Sequence, residues 1–169
     1  MKLRVLFVAI LFFISESIFV EVFSAQLYAS KYIIVPRFTL IFLVFLVVYG
    51  KKNTAFWYAV GLGAFYDVVY TEVLGIYLFM LPIVVYLASQ LMKVLQVNLA
   101  IVSFVSLLAI SVLEVIVFEI NTLIGFSSLT FMDFARLRLL PSLVLNLLFL
   151  ILFAYFLAKW IRKWTVEED

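Results

Sequence analysis

Long apolar runs separated by short polar stretches make up most of this 169-residue chain. A helix needs about 20 mostly apolar residues to span a bilayer. Within each run the apolar positions are continuous rather than alternating, which favours helices over strands. The pattern predicts six spans, at about residues 4–24, 34–50, 54–71, 74–92, 97–120 and 139–161. We therefore expect an all-α integral membrane protein, a six-transmembrane-helix bundle that forms a single polytopic domain over residues 1–169.

The connections between the predicted spans differ in length. Residues 65–75, FYDVVYTEVLG, contain the whole turn between the third span and the fourth. We expect a tight helical hairpin there, with Glu72 and Gly75 at the turn. Residues 121–138, NTLIGFSSLTFMDFARLR, form the longest and most polar of the predicted loops.

Composition supports a surface that faces lipid. Hydrophobic residues make up 68% of the chain and charged residues 13%, and the mean hydropathy is +1.28. Soluble domains average about 45–50% apolar residues. The chain has no cysteine and no histidine, which excludes disulfides, zinc–thiolate sites and histidine-based acid–base catalysis. The net charge of +2 is too small to indicate a nucleic-acid partner.

The basic residues predict an orientation. Residues 1–25 begin like a signal peptide, but Glu16 and Glu21 interrupt the second half of this stretch, so we interpret it as the first helix. Basic side chains are enriched in cytoplasmic segments. With both termini in the cytoplasm, eight basic residues lie inside: Lys2, Arg4, Lys51, Lys52, Lys93, Lys159, Arg162 and Lys163. Four lie outside: Lys31, Arg37, Arg136 and Arg138. All three tryptophans, Trp57, Trp160 and Trp164, then lie at the inner interface.

In this orientation, the acidic residues before the C-terminal tail all fall in the outer half: Glu16, Glu21, Asp67, Glu72, Glu114, Glu119 and Asp133. A carboxylate within a span costs about 2.5–3.5 kcal/mol at the bilayer centre, so it should face the bundle or water. In the third span Ala55, Ala59, Gly63 and Asp67 recur every four residues. Small residues at this spacing allow close helix packing, so we expect Asp67 to end a packing face.

The polar side chains within the spans predict a cluster near the outer surface. Glu16, Asp67, Glu114 and Asn146 would form it, with Arg37, Arg136 or Arg138 as counter-charges. Three interpretations stay open: ion pairs and hydrogen bonds that fix helix packing, a surface that docks a partner, or a pocket for a small molecule or ion. Glu21, Glu72 and Glu119 lie nearest the interface and are best explained as solvated ends of loops.

The sequence gives no indication of catalysis. It contains no phosphate-binding loop, no HExxH zinc motif, no nucleophile elbow and no EF-hand loop. Asp67 and Glu72, like Glu114 and Glu119, are five residues apart, which places them about 140° apart on a helix. Neither pair can converge on one reacting group, as a general acid and base must. We expect no enzyme, no cofactor and no metal site.

Several stretches resemble the MreD family of rod shape-determining proteins. They are SESIF (15–19), VPRF (35–38), GLGAFYDVVYTEVLGIY (61–77) and YLASQLMKVL (86–95). Glu114 in VLEVIVF and the spacing from Pro141 to Asn146 add to them. The resemblance runs in order along nearly the whole chain, and its central stretch, with Asp67 and Gly75, is the most specific. The positions that match are Arg37, Gly63, Asp67, Glu72, Gly75, Glu114 and Asn146.

The resemblance implies a non-enzymatic scaffold in the bacterial cell membrane that helps to direct peptidoglycan synthesis in the elongasome. It implies the bitopic protein MreC as the main partner, with MreB, RodA and a class B penicillin-binding protein in the same assembly; a homodimer stays open. It also implies a fold similar to the substrate-binding subunits of energy-coupling-factor transporters. The alternative function is therefore the small-molecule-binding subunit of such a transporter. In either role we expect the protein to be surrounded by membrane lipid.

Overall fold

The computed structural model describes residues 2–30, 32–71 and 73–166, and the secondary structure in this part of the chain is helical. Its helices are α1 (Lys2–Ser30), α2 (Phe38–Tyr49), α3 (Lys52–Tyr70), α4 (Ile76–Val94), α5 (Leu99–Leu123) and α6 (Phe131–Val166). Four of them, α1, α4, α5 and α6, are long and apolar enough to cross a membrane. The prediction of an all-helical membrane protein is confirmed.

The second predicted span, 34–50, is helical over only part of its length. Residues 32–37 have no regular secondary structure, and α2 begins at Phe38. Pro36 biases Val35, the residue before it, away from a helical conformation, so the helix does not extend back to residue 34. The predicted helix was therefore wrong for residues 34–37.

The prediction of a loop over residues 121–138 was wrong for residues 131–138, which are helical. α6 begins at Phe131, and it contains a π-helical segment, Ala135–Leu139, before continuing as a regular helix. Thr130 caps this start: its hydroxyl oxygen accepts the Asp133 N–H at 3.2 Å, and its O–H donates to the Asp133 carboxylate at 2.7 Å. A threonine followed three residues later by an acidic residue is a known helix-start signal. Its presence in a stretch of polar residues explains why the stretch looked like a loop.

α2 lies at the centre of the bundle. Ten of its twelve residues are buried, and it contacts each of the other helices. A helix that is apolar all round suits such a position. Lipid is as apolar as these side chains, so close van der Waals packing, rather than escape from water, stabilises the arrangement.

Because successive helices are antiparallel, the bundle has two chemically distinct ends. We call the end where α2 and α4 begin the acidic end. The carboxylates of the described residues lie toward it: Glu16, Glu21, Asp67, Glu114, Glu119 and Asp133. We call the opposite end the basic end. Its described basic residues are Arg4, Lys51, Lys52, Lys93, Lys159, Arg162 and Lys163.

α3 and α4 form a close antiparallel hairpin. Ala55 and Ala59 are fully buried along α3, and Gly63 continues their row. A Cβ atom on Gly63 would lie 2.4 Å from the carbonyl oxygen of Tyr77 in α4. At the turn, Gly75 has a φ of +114°, a conformation that only glycine adopts readily.

We predict that Gly63→Ala lowers the thermal stability of the detergent-solubilised protein. The new methyl group would meet the backbone of α4, and overpacking of this kind costs about 1–3 kcal/mol. Gly61→Ala is the matched control, because a Cβ there meets nothing within 4 Å. The melting temperature should fall for Gly63→Ala and stay equal or rise for Gly61→Ala. Equal behaviour of the two variants would contradict the close packing of α3 on α4.

Candidate functional site at the acidic end

Glu114 on α5 lies at the centre of a buried ionic cluster. Its Oε1 atom pairs with Arg37, at 2.7 Å from Nε and 2.6 Å from Nη2. Its Oε2 atom accepts from Nε of Arg138 at 2.9 Å. Glu114 is fully buried and Arg37 nearly so, whereas the Arg138 side chain is 29% exposed. Charge-assisted hydrogen bonds of this length are among the strong ones.

Two tyrosines complete the surroundings of the Arg37 side chain. Nη2 of Arg37 donates to the Tyr77 hydroxyl at 2.6 Å. The guanidinium carbon lies 5.0 Å from the ring centroid of Tyr77 and 5.6 Å from that of Tyr66, and the two rings stack on each other. Cation–π contacts at these distances stabilise a desolvated arginine. The Arg37 side chain is thus held by hydrogen bonds, an opposite charge and aromatic faces together.

Glu16 on α1 caps the start of α2. Its Oε1 atom accepts the backbone N–H of Thr39 at 2.6 Å, and its Oε2 atom accepts the hydroxyl of Tyr66. The first backbone N–H groups of a helix have no partner within the helix, and the helix dipole favours a negative charge beside them. The residue at the N-cap position of α2, Arg37, makes no side-chain cap of its own. The Glu16 carboxylate, from the neighbouring helix α1, supplies the cap instead.

Asp67 near the end of α3 caps α4 in the same way. Its carboxylate accepts three backbone N–H groups: Gly75 at 2.8 Å, Tyr77 at 2.8 Å and Leu78 at 2.9 Å. The N-cap residue of α4 is Gly75, which has no side chain to do this. Asp67 therefore fixes the hairpin turn to the body of α3.

The non-helical segment 32–37 is held by α6. Asn146 accepts the Arg37 N–H at 2.9 Å and donates to the Val35 carbonyl at 3.0 Å, while the Ser142 hydroxyl accepts the Val35 N–H at 2.9 Å. The carbonyl of Leu137, within the π-helical segment, accepts the Ile33 N–H at 2.8 Å. Non-helical backbone at membrane depth is tolerated only where protein satisfies its polar groups. These contacts supply such partners for Ile33, Val35 and Arg37.

The structure brings together much of the predicted polar cluster. Arg37 contacts Glu114 and Asn146 directly. Glu16 adjoins them through Tyr66 and the backbone of Thr39, and Asp67 adjoins them through the backbone of Tyr77. Of the candidate counter-charges, Arg37 and Arg138 pair with Glu114, whereas Arg136 is exposed. Glu72 lies outside the described residues, and Glu21 and Glu119 are exposed.

Two tyrosines of the site were missed in the sequence-based prediction. Tyr66 and Tyr77 both have buried hydroxyl groups that join two parts of the network. A buried tyrosine hydroxyl normally finds a hydrogen-bond partner, so a tyrosine beside Asp67 in a transmembrane segment was an available signal.

Two adjoining cavities open beside the network, and we call them together the acidic-end cleft. One, of about 450 Å³, lies between the α3–α4 turn and the loop before α6, with Thr71, Asn121 and Arg138 among its lining residues. The other, of about 190 Å³, reaches Glu16 and Arg37. Tyr70, Tyr77 and Arg138 line both. The cleft has room for a small molecule, but the groups at its inner wall already bond to one another.

Comparison with known proteins identifies relatives of this chain. The family model for rod shape-determining protein MreD matches residues 1–164. The rod shape-determining protein MreD of Bacillus subtilis (strain 168) is 35% identical over 141 residues, which cover 83% of this chain and 82% of that protein. No solved structure matches the chain.

We predict that Glu114→Gln lowers the melting temperature strongly. The substitution leaves Arg37 buried without its counter-charge, and breaking a buried pair in this way costs about 3–5 kcal/mol. Arg138→Gln should cost less, because that side chain is partly exposed. The matched control is Glu119→Gln, an exposed glutamate on the same helix that should tolerate the change. A melting temperature for Glu114→Gln equal to that of the control would contradict the central role of Glu114.

We predict that Asp67→Asn destabilises the hairpin. An amide has one oxygen in place of two, so at least one of the three N–H groups loses its acceptor, at about 1–3 kcal/mol for each buried group. Asp133→Asn, at an exposed position, serves as the control. Limited proteolysis near residues 71–75 should become faster in Asp67→Asn alone. Equal cleavage rates in both variants would show that the cap does not hold the turn.

Proposed function

Because this chain belongs to the MreD family of rod shape-determining proteins, we propose that it acts as a non-enzymatic membrane scaffold of the elongasome. Family membership itself gives it a role in rod shape determination at the membrane. The proposal goes further: the protein binds MreC and thereby helps to direct peptidoglycan synthesis along the cell. MreB, RodA and a class B penicillin-binding protein would belong to the same assembly.

The observation that carries the proposal is a set of exposed apolar side chains around the acidic end, which we call the rim. Its members are Leu74, Leu123, Ile124, Phe126, Leu129, Phe131 and Met132. They lie on the α3–α4 turn, the last residue of α5, the loop after it and the start of α6. Exposed apolar side chains that are grouped together mark sites of protein contact more than scattered single residues do.

The buried network supports the rim without forming part of it. Glu16, Arg37, Asp67, Glu114 and Asn146 are each at most 4% exposed, so a partner cannot contact them directly. Their contacts instead fix the α3–α4 turn and the non-helical segment before α2. In this proposal they position the docking surface and do not touch MreC.

We propose that the chain crosses the membrane six times, with both termini in the cytoplasm and the acidic end outside. α2, with 12 residues, is too short to span alone, since about 20 are needed. Residues 32–37 extend the crossing, and their backbone groups bond to α6. α3, with 19 residues, has sufficient length despite its lower hydropathy. The greater number of basic residues at the basic end favours its cytoplasmic location.

A second candidate function rests on the acidic-end cleft. Its main cavity of about 450 Å³ falls within the size range of small-molecule sites. Under this hypothesis the protein, similar in fold to the substrate-binding subunits of energy-coupling-factor transporters, holds a small ligand beside Tyr70, Tyr77 and Arg138. A vitamin retained through purification, or a rise in melting temperature with one, would favour it over the scaffold. No shift across a vitamin panel would count against it.

We predict that Leu74→Ser combined with Phe126→Ser weakens co-purification with MreC about tenfold or more. Both side chains are well exposed on the rim, and the loss of two apolar anchors from an interface removes enough free energy for such a change. The measurement is the amount of MreC recovered with the tagged protein from solubilised membranes.

Val94→Ser is the control for this experiment. Val94 is as exposed as Leu74 but ends α4 at the basic end. It should leave MreC recovery unchanged, and all variants should keep the melting temperature of the unmodified protein. Unchanged recovery in the rim variant, or an equal loss in the Val94 variant, would contradict docking at the rim.

A further inference from the structure

A crevice at the basic end has the chemistry of an anion site. It lies between the first turn of α3 and the last turns of α4, with α2 behind it, and has a volume of about 200 Å³. Its polar lining consists of Lys52, Asn53, Ser89, Gln90 and Lys93. No described carboxylate lines it. Two ammonium groups thus share one concave surface without an acidic partner in its walls.

The remaining walls are apolar and aromatic. Val47, Phe56, Val85 and Tyr86 line the crevice beside the lysines. Phe56 and Tyr86 are both exposed, so their rings also form part of the outer surface of α3 and α4. A ligand with a charged head and an apolar body would match both kinds of wall. Free phosphate would leave the apolar walls uncovered.

The position of the crevice along the bundle also points to a lipid. Trp57, Trp160 and Trp164 all lie at the basic end, and tryptophan is enriched at the level of the lipid headgroups. Trp57 packs against Phe56 in an edge-to-face contact, with ring centroids 5.9 Å apart. The crevice therefore opens at the depth where phosphate groups of the bilayer lie. Basic pockets between helices at this depth suit anionic headgroups.

We propose that this crevice binds the phosphate headgroup of an anionic phospholipid. Lys52 and Lys93 contact the phosphate, and Asn53 and Gln90 bond to the polar part beyond it. Gln90 already accepts a hydrogen bond from Nζ of Lys93 at 2.7 Å, which holds that ammonium group beside the crevice and leaves it two further donors. The acyl chains follow the exposed apolar surface of α3 and α4. The site lies at the opposite end of the bundle from the rim, so it is independent of the proposed docking of MreC.

The test compares two double variants of the full-length protein in detergent. Lys52→Gln with Lys93→Gln removes both charges of the crevice. Lys159→Gln with Lys163→Gln removes two exposed charges from α6 at the same end, outside the crevice, and is the matched control. All four lysines are exposed, so both variants should fold, which size-exclusion chromatography and the melting temperature without lipid check.

Dioleoylphosphatidylglycerol should raise the melting temperature of the unmodified protein and of the control variant, and dioleoylphosphatidylcholine should not. The crevice variant should need roughly ten- to thirtyfold more phosphatidylglycerol for the same shift, since each lysine near an anionic headgroup contributes on the order of 1 kcal/mol. Equal shifts with both lipids, or equal weakening in both variants, would overturn the proposal. A shift reproduced by glycerol phosphate alone would assign the crevice to a soluble phosphate compound and overturn the lipid assignment.

Discussion

The contact between Arg37 and Glu114 is the constraint on which the rest of the acidic end depends. A single charge buried in a bilayer is costly, and a pair is stable only when its geometry and its remaining hydrogen bonds are nearly complete. Here both requirements are met, because Arg37 also donates to Tyr77 and Glu114 also accepts from Arg138. The cluster joins four separate parts of the chain: the segment before α2, the start of α4, the middle of α5 and the π-helical part of α6.

The carboxylates that cap α2 and α4 extend this constraint to the helices themselves. Each helix begins inside the bundle, where water cannot satisfy its first N–H groups, and each receives an acidic side chain from a neighbouring helix. Glu16 and Asp67 therefore give the first N–H groups of α2 and α4 their hydrogen-bond partners, as Arg37 gives Glu114 its partner. Three acidic residues of this end, Glu16, Asp67 and Glu114, thus act as acceptors or counter-charges for other groups of the bundle, and this role does not require them to do chemistry.

Much of the fold could be predicted from the sequence, because span length and hydropathy are local properties. The hairpin at Gly75, the row from Ala55 to Asp67 and the grouping of Glu16 with Glu114 could be predicted from spacing alone. The hydrogen-bond partners of each carboxylate could not be predicted in this way. Backbone N–H groups have no sequence signature, so nothing in the sequence indicated that Asp67 would bond to Gly75, Tyr77 and Leu78 and not to an arginine.

The errors have physical causes as well. Ile34 and Val35 are apolar enough to look like helix, but Pro36 disfavours helix in the residue before it, and Asn146 bonds to the backbone of Val35 and Arg37 instead. The start of α6 looked like a loop because its polar residues include a cap and two arginines, one of which bonds inward to Glu114. At residues 34–37 the contacts that decided the local structure join distant parts of the chain, and single-sequence patterns cannot report such contacts. At the start of α6 the local cap of Thr130 and Asp133 was an available signal.

The central claim is that the acidic end, with its buried charges paired inside the bundle, presents an apolar rim to MreC. Site-specific photo-crosslinking in intact membranes tests it most directly, with a benzoylphenylalanine in place of Leu74, Phe126 or Val94 in separate variants. We expect crosslinks to MreC from the two rim positions and none from Val94 at the basic end. Crosslinks from Val94 with none from Leu74 or Phe126 would contradict the claim.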